Sequence, residues 1–254
     1  IQDEAFISIF DHGFLFGDSI YEVVSTKYGK PCFLDEHLER LFASASGISL
    51  KIPFSENKIK NQIQSTLDSA GNSESYIRIM VTRGVGEVDI DPSYCFKPNI
   101  IILVKDLPDI PDEKYSNGIS VSLVSIKRNS RDSLNPAIKT GNYLNNILAR
   151  VEASKNGAED AIMMNSWGQL TEATTSNLFF VMDGQLLTPE KQCGILSGIT
   201  REKIIQLSNE SGMVLKEGIW LGEELLRADE IFLSGTVKNI MPVSIFDNRP
   251  VGNG

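Results

Sequence analysis

The sequence predicts an α+β fold built as two units. Helical and strand periodicities alternate along the chain, glycine and proline punctuate them at short intervals, and one polar, proline-containing stretch divides the 254 residues into two parts. In chain order, Ser8 to Tyr28 alternates short apolar stretches with Gly13 and Gly17 and reads as strand, the clearest run being Tyr21 to Lys27 before a hairpin at Tyr28-Gly29-Lys30-Pro31. Asp35 suits the N-cap of a helix with Leu38, Leu41 and Phe42 on one face, ending near Gly47. Ser55 opens a second helix carrying Ile59, Ile63 and Leu67 before Gly71. Tyr76 to Arg83 and Asn99 to Val104 are β-branched strands around a loop rich in Gly, Asp and Pro.

Leu107 to Gly118 carries two prolines and four charges, the composition of a linker, so the expected domains are residues 1–106 and 119–254 with 107–118 between them. Beyond it, Ile119 to Ile126 alternates as a strand, and Asn142 to Ser154 has helical spacing up to Asn156-Gly157. Ala161 to Asn165 and Asn177 to Met182 return to strand, Thr200 to Ser211 is a helix closed by Gly212, and Leu221 to Arg227 is a shorter one. Ile231 to Leu233 is a strand running into Ser234-Gly235-Thr236. The chain opens without Met and stops in the turn-rich Pro250 to Gly254, so a terminal helix is expected beyond it.

Composition excludes several function classes. Apolar residues at 41% and charged residues at 22% are ordinary globular usage, and no apolar run is longer than that of Ile100 to Val104, which is too short to cross a bilayer. The balance of 24 basic against 33 acidic residues, −9, has the wrong sign for a nucleic-acid partner. Cys32, Cys95 and Cys193 are odd in number and scattered, and no charged-then-apolar leader precedes Asp3-Glu4, so the cytoplasm is the expected compartment. With only His12 and His37, a His-rich metal site cannot be built, and no metal is expected. There is no Gly-x-Ser-x-Gly elbow and no Walker pattern, and Gly84-Val85-Gly86 runs into Glu87-Val88-Asp89 where a dinucleotide fingerprint needs its third glycine.

Asn135-Pro136-Ala137-Ile138-Lys139-Thr140-Gly141-Asn142-Tyr143 sets one lysine behind apolar residues at the mouth of an expected helix. Taken alone, a lysine is ordinarily a solvated surface residue; the functional alternative is a desolvated amine suited to Schiff-base chemistry. Context comes from Glu172-Ala173-Thr174-Thr175-Ser176-Asn177-Leu178-Phe179, then Leu186-Leu187-Thr188, then Leu196-Ser197-Gly198-Ile199-Thr200-Arg201. Together these resemble the class IV (fold type IV) pyridoxal-phosphate aminotransferases, whose signature is Glu, a small residue, then Asn-apolar-aromatic, spaced Thr, and Gly-Ile-x-Arg. The likeness extends to Asp11-His12-Gly13-Phe14-Leu15-Phe16-Gly17-Asp18, His37-Leu38-Glu39-Arg40-Leu41, Tyr76-Ile77-Arg78, Thr82-Arg83-Gly84 and Ser234-Gly235-Thr236, nearly the whole chain.

The resemblance implies a small N-terminal α/β domain and a larger pseudo-barrel C-terminal domain flanked by helices. It implies pyridoxal 5'-phosphate as cofactor, with Lys139 as the Schiff-base and proton-shuttling lysine and Glu172 as the carboxylate facing the pyridine nitrogen. Tyr143, four residues after Lys139 and so within one helical turn, is suited to the cofactor's phenolic oxygen. Arg40, Ile199, Thr200, Gly235 and Thr236 would hold the phosphate, the helix opening at Ile199-Thr200 favouring an anion. Phe16, Tyr21, Tyr76, Arg78 and Val237 would line the substrate pocket. Singly, Arg40 reads as a salt-bridged surface residue, Thr200 as a cap and Tyr143 as core.

Among the family's branches, Tyr76-x-Arg78 resembles the branched-chain group and points to an L-amino acid with an apolar side chain. Val23 in Tyr21-Glu22-Val23-Val24 stands where that group usually has glycine and is closer to the D-amino-acid group, yet Val85 to Pro92 lacks the Arg-x-His of typical D-enzymes. The expectation is ping-pong transamination from an L-branched-chain amino acid to a 2-oxo acid such as 2-oxoglutarate, in a homodimer or larger assembly, with neither nucleic acid nor membrane as partner. D-amino-acid aminotransferase and (R)-amine transaminase are the alternatives, aminodeoxychorismate lyase the third. A turnover-free binding module of the same fold would lack the lysine or the glutamate, and both are present.

Overall fold

The computed structural model describes residues 4–252; Ile1 to Asp3 of the polar lead-in and Asn253-Gly254 of the turn-rich tail lie outside the described residues. The chain divides into two compact units, Ile1–Pro108 with Ile138–Asn142, and Asp109–Ala137 with Tyr143–Gly254.

The first unit opens on α1 (His12–Leu15), a single helical turn where strand is expected. Asp11 causes it: the buried carboxylate accepts from Gly13 N at 2.8 Å and caps the turn. β1 (Ser19–Lys27) and β2 (Lys30–Pro31) follow, joined by Tyr28 and Gly29, both at positive φ. α2 (Leu34–Gly47) starts one residue before the expected cap; Phe33 takes that place in a left-handed conformation, and Asp35 sits in the first turn, where its charge complements the helix dipole. α3 (Glu56–Ala70) has the anticipated ends, Ser55 accepting from Lys58 N and Gly71 closing it left-handed. β3 (Ser75–Thr82) and β4 (Asn99–Asp106) complete an antiparallel sheet in the order β2-β1-β3-β4.

Register decides which side chains meet. Tyr21 lies opposite Met80, Val23 opposite Arg78 and Ser25 opposite Tyr76, so these six share one sheet face. The other face, with Ile20, Val24, Ile77, Ile79 and Val81, is buried against Leu38 and Leu41 of α2 and Ile59 and Ile63 of α3. Each such side chain contributes about 1.5–3 kcal/mol through burial.

Residues 138–142 belong to this unit rather than to the second, where linear organisation places them. Tyr21 N donates to Lys139 O at 3.0 Å, Gly141 N donates to Ser19 O at 2.7 Å, and Thr140 forms a β-bridge with Ile20. The segment satisfies backbone groups that β1 otherwise leaves unpaired at its start.

In the second unit, the stretch of linker composition folds as α4 (Asp112–Asn117). Then come β5 (Ile119–Lys127), α5 (Leu144–Lys155), β6 (Asp160–Met164), β7 (Leu170–Ala173), β8 (Asn177–Met182), β9 (Gln185–Pro189), α6 (Ile199–Glu210), β10 (Leu215–Gly218), β11 (Glu230–Gly235), β12 (Asn239–Phe246) and β13 (Arg249–Pro250). Gly222–Arg227, expected as a short helix, is a 3-10 helix. Strand order is β10-β9-β8-β11-β12-β5-β6-β7, and β7 pairs back to β8 through Glu172 and Asn177. Six strands thereby close into a barrel-like ring, flanked by α5 on Val124, Ala161 and Met163 and by α6 on Phe179 and Leu186. Periodicity overlooks β12, which contains Pro242; the registered pairs of β12 with β5 begin only at Val243, beyond the missing amide. Among the described residues, no helix is long and apolar enough to cross a membrane.

Candidate active site

In the first unit the pocket candidates gather on the sheet face not covered by α2 and α3. The Nζ of Lys139 lies 4.5 Å from the Tyr21 ring centroid, and the Arg78 guanidinium lies 3.9 Å from the same centroid. Arg78 is diagonal to Tyr21 across β1 and β3, within reach of a long side chain. Tyr76 shares the face two residues away, and Ser44 Oγ accepts from Lys139 N at 3.1 Å. Phe16 stands apart, 40% exposed and edge-on to the His12 ring at 5.0 Å.

Glu22, between Tyr21 and Val23 in sequence, points to the opposite face because side chains alternate along a strand. Its carboxylate accepts from Arg40 Nε at 2.7 Å, from Arg40 Nη2 at 2.8 Å and from His37 Nδ1 at 2.8 Å. Burial pushes the Glu22 carboxyl up, and the hydrogen bonds from Arg40 and His37 outweigh it, holding it at about 2. Arg40 is therefore a largely buried ion-pair partner on α2, and the spacing His37-x-x-Arg40 puts both donors on one helix face.

Lys139 and Tyr143 do not share a helical turn, contrary to their spacing. Pairing with β1 holds residues 139–141 extended, and α5 begins only after Tyr143, which is its N-cap.

In the second unit, Glu172 is buried on β7 at the strand pair that closes the ring. Its Oε2 accepts from Leu196 N at 2.9 Å and Asn177 Nδ2 at 3.1 Å, and its Oε1 accepts from Arg128 Nε at 3.0 Å. Sequence reading gave Asn177 no role and missed Arg128: Asn177 is recoverable from its place five residues on, whereas Arg128, 44 residues away, leaves no local signal. Ile199 and Thr200 form the start of α6, where Gly198 is the N-cap and supplies no side-chain acceptor. A Cβ on Gly198 would come 1.9 Å from Asn177 Oδ1, so the backbone can run this close only as glycine. Gly235 ends β11, Thr236 and Val237 lie in the β11–β12 turn, and a Cβ on Gly235 would sit 3.3 Å from Ser176 Oγ.

The sequence matches the family described as Amino-transferase class IV over residues 19–246. The chain belongs to the class IV aminotransferases. This aminotransferase is 37% identical over 252 residues to a Methanocaldococcus jannaschii protein with a provisional branched-chain-amino-acid aminotransferase name, spanning 99% of this chain and 86% of that one. It is 31% identical over 253 residues to the D-alanine aminotransferase of Bacillus licheniformis, spanning 100% and 87%. Among solved structures, the branched-chain amino acid aminotransferase of Escherichia coli matches at TM-score 0.94 and 28% identity, covering 99% of this chain and 84% of that one. The T.th. branched-chain amino acid aminotransferase with pyridoxamine 5'-phosphate matches at the same score, identity and coverage.

The donor set of this aminotransferase fits a phosphorylated pyridine. Among the described residues, the buried hydroxyls of Ser176 and Ser234 have no hydrogen-bond partner, the α6 N-terminus offers amides without a side-chain cap, and Glu172 is held as an acceptor aimed by three donors.

Proposed function

We propose that the chain transfers the amino group of an L-branched-chain amino acid to a 2-oxo acid such as 2-oxoglutarate, in two half-reactions that use pyridoxal 5'-phosphate. The observation that carries the reading is the Tyr21 ring with Lys139 at 4.5 Å and Arg78 at 3.9 Å, on a face shared with Tyr76. It collects an amine for chemistry and a cation for a carboxylate beside aromatic surface for an apolar side chain. When bound, the cofactor supplies a carbonyl that takes up the amino group and a ring that accepts electrons.

Lys139 is the residue that attaches the cofactor and moves the proton of the substrate α-carbon. Glu172 holds a proton at the ring nitrogen through its carboxylate, and Tyr143 donates to the phenolic oxygen. Arg40, the amides of Ile199 and Thr200, Gly235 and Thr236 bind the phosphate. Phe16, Tyr21, Tyr76, Arg78 and Val237 orient the substrate.

The D-amino-acid reading has one observation in its favour: Val23 lies directly opposite Arg78 and puts a branched side chain beside the carboxylate-binding cation. The working assembly is a homodimer; Leu144, Ile147, Leu148 and Val151 form an exposed apolar stripe on α5, the kind of face a second copy covers. Free Cys32, Cys95 and Cys193 suit a reducing cytoplasm. The deciding experiment records the visible spectrum of the purified holoenzyme during addition of L-leucine or D-alanine. Bleaching by L-leucine alone supports the branched-chain reading; bleaching by D-alanine alone replaces it with the D-amino-acid one.

A further inference from the structure

Asp160, at the start of β6, is 1% exposed and takes no part in the reading above. Its Oδ2 pairs with Lys238 Nζ at 2.5 Å, and its Oδ1 accepts from Thr174 Oγ1 at 2.5 Å and from Ala161 N at 2.9 Å. Lys238 lies two residues beyond Thr236 in the β11–β12 turn, and Thr174 lies two residues beyond Glu172. The Thr174 carbonyl accepts in turn from Asn146 Nδ2 at 2.7 Å, in the first turn of the helix that Tyr143 caps. One carboxylate thus links the segments that carry Glu172, Thr236 and Tyr143. The turns around residues 174–176 and 235–238 also pack directly, since a Cβ on Gly235 would lie 3.5 Å from Thr175 O. A cavity of about 490 Å³ adjoins the network, lined by Tyr143, Asn146, Asp160, Thr174, Lys238 and Met241.

The geometry points to Asp160 and Lys238 as positioning residues for cofactor binding, an inference that rests on the pyridoxal-phosphate reading. The Lys238 side chain is only 30% exposed, and its ammonium ties the turn that follows the last β11–β12 pair, Gly235 with Asn239, to Asp160 on β6. Without the anchor, the turn keeps its strands but not its orientation, and Thr236 and Gly235 move with it. A carboxylate with three donors is stable inside the fold; removing the Lys238 ammonium leaves the charge underpaired and the turn untied.

The test measures the rate at which the holoenzyme loses pyridoxal phosphate to an excess of a scavenging apoenzyme, together with the melting temperature, for wild type, Lys238→Met, Lys238→Arg, Asp160→Asn and the Lys238→Met/Asp160→Asn double variant. The expected result is cofactor loss about tenfold faster in Lys238→Met and in Asp160→Asn, near wild type in Lys238→Arg, and no faster in the double variant than in the worse single one. Lys238→Met carries the test should Asp160→Asn not fold. Release at the wild-type rate from folded Lys238→Met, or a fall in melting temperature with unchanged release, overturns the assignment. A wild-type protein that takes up no pyridoxal phosphate overturns the underlying reading instead.

Discussion

The ammonium of Lys139 stands 4.5 Å from the centroid of the Tyr21 ring, although 118 positions of sequence separate the two residues. The contact exists because residues 139–141 are hydrogen-bonded to the start of β1, so a chain segment from the middle of the protein completes the sheet of the first unit. Replacing Lys139 with Ala is expected to abolish covalent cofactor attachment, read as loss of borohydride-fixed mass, and to cut turnover by about 10²–10⁴-fold through loss of the proton-transfer group. Unchanged attachment would remove Lys139 from its role.

Glu22 ties the stability of the first unit to pH. Its folded pKa, about 2, is below its ordinary 4.5, so the ion pair stabilises the fold fully above about pH 4.5 and is lost as pH falls from there toward 2. The contribution is on the order of 3 kcal/mol. Glu22→Gln is expected to lower stability at pH 7 and flatten its decline between pH 4.5 and 2; urea midpoints across that range decide it.

Gly198 is the tightest point of the α6 N-terminus. Gly198→Ala must displace Asn177, which also holds Glu172, and is expected to cost about 1–3 kcal/mol. Thermal melts read the stability, and cofactor titration is expected to show weaker binding in the same variant.

Val23 faces Arg78 across β1 and β3. Val23→Gly removes the branched side chain from that face and is expected to raise kcat/KM for L-leucine relative to D-alanine by several fold. An unchanged ratio would place the specificity determinant elsewhere.

Leu148, 47% exposed within the α5 stripe, lies away from the buried Ala149 and Ala153 side of the helix. Leu148→Glu is expected to shift the protein from dimer to monomer in sedimentation velocity without unfolding it. A dimer of wild-type stability would show that the stripe is not the interface.

Local chemistry is legible from the chain alone. Ser55 and Gly71 mark the ends of α3 because a cap and a left-handed residue act within a few positions, and Lys139 and Glu172 stand out because their neighbours form a spaced motif. Partners across the fold are not. Arg128 meets Glu172 from 44 residues away, Lys238 meets Asp160 across 78, and Tyr143 shares no helical turn with Lys139 despite a spacing of four. Periodicity reports the geometry of one element, whereas these contacts depend on strand order, register and the closing pair of Glu172 with Asn177. The sequence by itself determined the family, the alternation of helix and strand and the chemical character of the site residues. Tertiary structure decided which charges pair, which sheet face Glu22 takes and which unit holds residues 138–142, because long-range hydrogen bonding is settled only when the strands are in place.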